Sequence, residues 1–173
     1  SATNVMTSPD GLTWTARTGI LNNFWSSITY GNGLFVAIAS TSTSNNVVMT
    51  SVDGISWTLR TATGTSALWK SVTYGNGRFV AVGATSSVMT STDGITWSKS
   101  NAVSLNFWTS VTYGNGLFVA VACGSGGAIV CDSTSNTRVM TSPDGVNWSS
   151  RTSASNNYWQ EVTYGNGLFL AVS

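Results

Sequence analysis

The chain has 173 residues, of which 7 are basic and 6 acidic, and its formal net charge is +1. Phosphate neutralisation requires clustered Lys and Arg, and Lys occurs only at Lys70 and Lys99, so the composition argues against a nucleic-acid binder. No run approaches the roughly 18 apolar residues of a membrane helix, which argues against membrane insertion. Eight Trp, five Tyr and six Phe supply the apolar surface of a folded core, so we expect one strand-rich domain over residues 1–173.

The first predicted element is a hairpin, "VMTSPDGLTW", which begins at Val5 and recurs with small changes from Val48, Val88 and Val139. The Asp-Gly pair in each copy, such as Asp10-Gly11, indicates a tight turn between two short strands.

A second hairpin follows, "WSSITYGNGLFVAI" from Trp25, with copies that begin at Trp69, Trp108 and Trp159. Its Asn-Gly pair is the strongest short-range signal for a two-residue turn that needs positive φ. The strand after this turn is apolar at nearly every position, which is typical of a strand covered on both faces.

Two hairpins make a unit of four strands, and the Asp-Gly pairs begin at residues 10, 53, 93 and 144, a period of 43, 40 and 51 residues. That is the size of a propeller blade. We therefore predict an all-β fold, a four-bladed β-propeller of four-stranded antiparallel blades. Three complete blades span about 25–61, 69–100 and 108–152, and residues 159–173 plus 1–17 make a fourth, closed by the N-terminal and C-terminal hairpins.

Closing the fourth blade within one chain would remove two bare strand edges. Two alternatives use the same half-blades differently. The chain could be half of an eight-bladed dimer, or the half-blades could pair between molecules and build oligomers or a filament.

The stretch "SPDGLTW" from Ser8 to Trp14 resembles the Asp-box (BNR) repeat of sialidase-like propellers, in a form shortened by one residue between Asp and Gly. This form is similar to repeats of secreted, cell-surface and phage-tail proteins. The resemblance implies that the Asp accepts backbone hydrogen bonds in its own turn and that the Trp packs between blades.

The residues argue against an enzyme. The chain has no His, which removes His-dependent triads and most zinc sites. Sialidases, as a family, use a Tyr-Glu pair, an acid and three arginines, but the single glutamate here is Glu161, and outside the boxes the one other acid is Asp132. We predict no catalytic residue, no metal and no cofactor.

Counted from the Trp that opens the Asn-Gly hairpin, each unit has strands 1 to 4. The loops joining strands 2 to 3 and strands 4 to 1 vary between copies, and they share one face of the disc, so we expect recognition there. An aromatic residue or Leu precedes each Trp, with Asn beside it in three copies, a pattern that suits sugar stacking. The alternative is that these aromatic residues are core. The candidate ligand-binding residues are Phe24, Trp25, Leu68, Trp69, Phe107, Trp108, Tyr158 and Trp159.

Arg17, Arg60 and Arg151 each follow a box Trp by three residues, with Lys99 near the equivalent place in the remaining copy. These cations could hold the carboxylate or sulfate groups of an acidic glycan. The alternative is that they bond to their own blades.

Cys123 and Cys131 flank a Gly-rich turn, a spacing that predicts a disulfide and an oxidising compartment. Two buried free thiols are the alternative.

These patterns favour a non-catalytic, extracellular or secreted binding propeller that recognises a glycan or another surface ligand through repeated sites. A structural subunit of an extracellular fibre or surface assembly, built by blade completion between chains, is the alternative. A sialidase-like glycosidase is the third and least supported hypothesis.

Overall fold

A computed structural model describes residues 5–18, 20, 23–41, 47–62, 67–84, 86–125 and 136–173. These residues form sixteen β-strands. In chain order the strands are β1 (Val5–Thr7), β2 (Thr15–Arg17), β3 (Trp25–Gly31), β4 (Leu34–Thr41), β5 (Val48–Ser51), β6 (Thr58–Arg60), β7 (Ala67–Gly75), β8 (Arg78–Gly83), β9 (Ser87–Ser91), β10 (Ser98–Asn101), β11 (Asn106–Gly114), β12 (Leu117–Ser125), β13 (Val139–Ser142), β14 (Ser149–Arg151), β15 (Glu161–Gly165) and β16 (Leu168–Val172). The described residues contain no helix that is long and apolar enough to span a bilayer.

Twelve of these strands form three antiparallel blades of four. Blade 1 contains β3 to β6, blade 2 contains β7 to β10, and blade 3 contains β11 to β14. Blades 1 and 2 are also joined at one end, where Ser40 and Thr41 pair with the start of β7. Each blade therefore consists of an Asn-Gly hairpin followed by an Asp-box hairpin.

The hairpins at the two ends of the described chain form separate two-stranded sheets, β1–β2 and β15–β16. Within the described residues, therefore, β1 and β16 do not pair, and the predicted closure of a fourth blade within one chain is not observed. Each hairpin packs on the blade beside it: the Thr7 methyl group lies near Gly54 of blade 1, and the Ser110 hydroxyl of blade 3 donates to Glu161. The three blades follow one another in a row, with blades 1 and 3 at its opposite ends. This packing therefore keeps the two half-blades apart.

The core lies between the blades. Strands β8 and β12 are buried along most of their length and β4 in its central half, and their side chains join clusters drawn from two successive blades. Trp97 lies in the cluster shared by blades 1 and 2, and Trp148 in the one shared by blades 2 and 3. The expectation that the strand after each Asn-Gly turn is covered on both faces is confirmed for β4, β8 and β12, and the expectation that a box Trp packs between blades is confirmed for Trp97 and Trp148.

The Asn-Gly turns are confirmed as two-residue turns with positive φ. Asn32, Asn76, Asn115 and Asn166 have φ between 46° and 51°, and the glycine after each has φ between 72° and 78°. Both central residues are left-handed, as a type I′ turn requires.

The Asp-Gly turns differ from the prediction. The box glycines have φ between 72° and 75°, but the aspartates before them are not among the positive-φ residues. Strand β1 ends at Thr7 and β2 begins at Thr15, so the connection is a longer loop. Side chains of the loop, described below, take over the hydrogen bonding that a tight backbone turn would supply.

Candidate functional site

The Asp box is a self-contained hydrogen-bonded loop. In blade 2 the Asp93 carboxylate accepts the backbone N–H groups of Thr96 at 2.7 Å and Ile95 at 2.8 Å, and the Ser91 hydroxyl at 2.8 Å. The Ser91 oxygen in turn accepts the N–H of Gly94 at 2.8 Å. The backbone N–H groups, that of Thr96 first, lower the pKa of Asp93 to about 2.

The same bonds recur in the other three boxes. The backbone N–H of Thr13 is the main cause that lowers the pKa of Asp10 to about 2, and the pKa values of Asp53 and Asp144 are held well below the usual range by the N–H groups of Ser56 and Asn147. Each box Trp donates its indole N–H to the carbonyl of its own box glycine at 3.0–3.2 Å. The expected structural role of the box Asp is therefore confirmed at the level of its hydrogen bonds.

The predicted aromatic positions divide into exposed and buried members. Trp69 and Trp108 are fully buried in the clusters between blades, so neither indole offers a face to a ligand. Trp25 and Trp159 are partly buried. Phe24 and Tyr158, which precede these last two, are exposed.

Leu68 and Phe107 occupy the corresponding positions before Trp69 and Trp108, and both are half-buried. The Lys70 ammonium lies 5.4 Å from the centroid of the Phe107 ring, over its face. Lys70 is the extra residue of a bulge in β7, between the paired residues Trp69 and Ser71. The bulge directs the Lys70 side chain toward the next blade. One face of Phe107 is therefore already covered.

Tyr158 lines an open cavity of about 440 Å³ with Asn156, Asn157 and Ser173. Its side chain is 47% exposed. The Asn157 side-chain amide is 3.4 Å from the Ser173 hydroxyl, so amide and hydroxyl groups line the same cavity as the ring. This cavity brings together the aromatic ring and the Asn residues that the sequence pattern predicted side by side.

Arg138 contacts two residues of this cavity, Asn157 and Tyr158, and was missed by the sequence reasoning. It is fully buried, it donates to the backbone carbonyls of Cys123 and Asn157, and its guanidinium carbon lies 5.9 Å from the centroid of the Tyr158 ring. The signal was present, because Arg138 precedes "VMTS" where two other copies have Val47 and Ser87. A fixed cation therefore supports the loop that carries Tyr158.

The three predicted arginines bond to their own blades. The Nε–H of Arg17, Arg60 and Arg151 donates to the hydroxyls of Thr7, Thr50 and Thr141 respectively, at 2.9–3.0 Å. In blade 2 the equivalent place, opposite Val88, belongs to Ser100, and the exposed Lys99 lies one residue before it. The threonine is reached instead by Arg78, whose Nη1 lies 3.4 Å from the Thr90 hydroxyl.

Arg78 and Lys99 line a groove of about 330 Å³ whose other lining residues are mostly Ser and Thr. The sequence reasoning missed Arg78, although it replaces the Leu found at this position in the other three copies. Two cations among hydroxyl groups suit a carboxylate or sulfate group.

Several predicted features fall outside the described residues. Asp132 and Cys131 lie in the 126–135 gap, so the predicted Cys123–Cys131 disulfide stays a prediction; Cys123 itself is buried in β12. The loop over 42–46 also lies outside. Across the described chain no three of His, Cys, Asp and Glu gather as metal ligands.

No known protein family matches the chain, and a search of curated proteins finds no significant match. Solved structures do match. A virginiamycin B lyase from Staphylococcus aureus has 10% identity and a TM-score of 0.77 over 96% of this chain and 54% of its own. The structure of a nidogen/laminin complex has 12% identity and a TM-score of 0.67 over 94% and 60%.

A computationally designed protein, Ika4, has 8% identity and a TM-score of 0.60 over 87% of this chain and 86% of its own. The chain spans little more than half the length of the virginiamycin B lyase that it matches. At such low identities the likeness concerns the fold alone. The virginiamycin B lyase and nidogen structures are β-propellers, and the helix-free blades described above share their architecture, so the fold of this chain is that of a β-propeller.

Proposed function

We propose that the chain is a non-catalytic, extracellular propeller of Asp-box-like repeats that binds glycans. The observation that carries the proposal is the cavity around Tyr158, where a half-exposed ring stands among Asn156, Asn157 and Ser173. A sugar presents an apolar face of C–H groups and a rim of hydroxyls. An aromatic ring suits the first, and amide and hydroxyl groups suit the second.

The electrostatics of the box aspartates support a non-catalytic role. A general acid must hold its proton near neutral pH, which requires a raised pKa. The pKa values of Asp10 and Asp93 are lowered to about 2, in the opposite direction, and both carboxylates accept hydrogen bonds from their own loops.

Repetition supports binding through several weak sites. Phe24 is exposed at the position equivalent to Tyr158, next to Asn23. Two such sites on one molecule would raise the avidity for a multivalent glycan without strengthening either contact. The groove of Arg78 and Lys99 adds a place for an acidic substituent.

A glycan array carrying neutral, carboxylated and sulfated sugars tests the proposal. We expect binding to at least one class. Tyr158→Ala should raise the dissociation constant of the best ligand by about tenfold, since ring stacking of this kind contributes on the order of 1 kcal/mol. Calorimetry with the purified ligand measures the change.

Tyr158→Phe keeps the ring and should retain most of the affinity. Ile55→Ala provides a matched control, because Ile55 is also 47% exposed but lies on an Asp-box loop. An array without a hit, or a ligand whose affinity is the same for wild type and Tyr158→Ala, would contradict the proposed site.

A further inference from the structure

Each joint between successive blades contains the same interlocking contact. The Tyr of one Asn-Gly hairpin packs on the first glycine of the preceding hairpin. A Cβ atom added to Gly31, Gly75 or Gly114 would come within 2.0–2.1 Å of the ring of Tyr74, Tyr113 or Tyr164. The glycine is therefore a socket for the tyrosine of the next blade.

A hydrogen bond accompanies this contact at every joint. The hydroxyl oxygens of Ser27, Ser71 and Ser110 accept the backbone N–H groups of Val72, Val111 and Val162 in the following unit, at 3.1–3.2 Å. In the last unit Glu161 replaces the serine, and its carboxylate accepts the Ser110 hydroxyl at 2.7 Å.

The two ends of the described chain carry the two halves of one further joint. At one end Gly165 is an exposed socket, with nothing within 4 Å of an added Cβ. At the other end Tyr30 is 58% exposed, and Ile28 is 57% exposed although Val72, Val111 and Val162 at the same position are 4–5% exposed.

The ends also carry the two halves of one blade. Leu170 in β16 is 54% exposed, whereas Val36, Val80 and Val119 at the same position are at most 7% exposed. Met6 in β1 is 62% exposed, whereas its counterparts in β5, β9 and β13 are at most 2% exposed. Within the described residues β16 pairs with β15 alone, and β1 with β2 alone.

We propose that two copies of this chain close head to tail into one ring, with β16 of each copy pairing with β1 of the other. The register follows from blade 1, where Phe35 pairs with Ser51 and Val36 with Thr50. It places Phe169 opposite Ser8 and Leu170 opposite Thr7 of the second copy.

The contacts at the joints within one chain can be transferred to the seam in the same way. Tyr30 of one copy then lies on Gly165 of the other, and the Ile28 N–H points toward Glu161. Each copy supplies three whole blades and two halves, so the ring has eight blades. At both seams the strand pairing repeats that of β4 with β5, and the Tyr-on-Gly contact repeats that between blades of one chain.

The shape of the chain favours a second copy over closure within one chain. The terminal hairpins pack on blades 1 and 3, at opposite ends of the row. This chain also superimposes on 54% of the virginiamycin B lyase chain and 60% of the matched chain of the nidogen/laminin complex, so its curvature suits a propeller larger than one chain can close.

Light scattering coupled to size exclusion tests the proposal on the 173-residue chain. We expect a mass twice the 18.1 kDa of one chain, unchanged on raising the concentration. Leu170→Asp should reduce it to one chain, whereas Leu105→Asp, at a comparably exposed Leu away from the seam, should not. A wild-type mass of 18.1 kDa overturns the proposal, and a series of larger masses that grows with concentration overturns the closed ring in favour of an open filament.

Disulfide trapping tests the register and separates pairing between copies from closure within one. A Thr7→Cys chain mixed with a Leu170→Cys chain should form a covalent heterodimer linked through these positions, because directly opposite residues of antiparallel strands are about 5 Å apart, within disulfide reach. Ala171→Cys, one residue along and on the other face, should link far less to Thr7→Cys. A Thr7→Cys/Leu170→Cys double variant that forms the bond only within single chains would overturn the proposal.

Discussion

The smallest unit that repeats faithfully in this protein is a Ser-Asp pair in each box loop. Ser91 and Asp93 together satisfy the backbone N–H groups of Gly94, Ile95 and Thr96, which no strand pairs. A backbone N–H group without an acceptor raises the free energy of the folded state wherever water does not replace that acceptor. The Ser-Asp pair therefore stabilises the conformation of the loop that follows β9.

Asp93→Ala removes the acceptor for two backbone N–H groups and a hydroxyl. We expect the free energy of unfolding to fall by about 1 kcal/mol, since the loop is largely exposed and water replaces part of the loss, and Tm to fall by about 2–4 °C. Thermal unfolding followed by Trp fluorescence measures the change. Asp93→Asn retains one oxygen acceptor and should lose less; equal and negligible changes in both variants would contradict this role of the carboxylate.

The lowered pKa values of the box aspartates predict acid sensitivity. Asp10 and Asp93 titrate near pH 2 in the folded chain and near 3.8 when unfolded, so the folded state binds fewer protons in between. The stabilisation is therefore complete above about pH 4 and is lost as the pH falls toward 2. Urea unfolding at pH 7, 4, 3 and 2 should show this decline, and a smaller decline in Asp93→Ala; a free energy of unfolding that stays constant down to pH 2 would contradict it.

At the scale of the element, the hairpins were largely predictable because their chemistry is local. Asn32-Gly33 and its three copies have the residue types that positive φ requires, and the turns formed as expected. The Asp10-Gly11 turn was mistaken for the same type, because the loop geometry depends on side-chain bonds from Ser8 and Asp10 that a dipeptide pattern does not encode.

The candidate binding residues were less predictable than the hairpins. The pattern identified Tyr158 but could not separate exposed from buried aromatic residues, since Trp69 and Tyr158 differ in the packing around them rather than in local sequence. Arg78 and Arg138 were missed because each departs from the repeat, and a repeat pattern identifies only the residues that the copies share.

Two glycines of the Asn-Gly hairpins make a matched pair for a packing prediction. In a Leu170→Asp chain, Gly114→Ala should lower the free energy of unfolding by about 1–3 kcal/mol, because the new methyl group meets the Tyr164 ring. Gly165→Ala in the same chain should change it by less than about 0.5 kcal/mol, since that site is open. Chemical denaturation measures both, and similar losses for the two variants would contradict the socket interpretation.

At the scale of the whole molecule, the three blades and two half-blades are successive members of one row, joined by repeated Tyr-on-Gly contacts. The repeat count alone suggested a ring of four blades in one chain. Closure depends on the angle between neighbouring blades, which arises from packing at each joint and has no signature in a 40-residue period. The chain forms a row with complementary ends, and ring closure by two copies would bury the edges that β1 and β16 leave open.

A crystal structure of the 173-residue chain in its solution assembly tests the two-copy ring. We expect β16 of one copy to pair with β1 of the other, with Phe169 opposite Ser8, Tyr30 seated on Gly165 and eight blades around one axis. Pairing of β16 with β1 of the same chain in a four-bladed ring, or two half-blades left unpaired in an isolated chain, would contradict it.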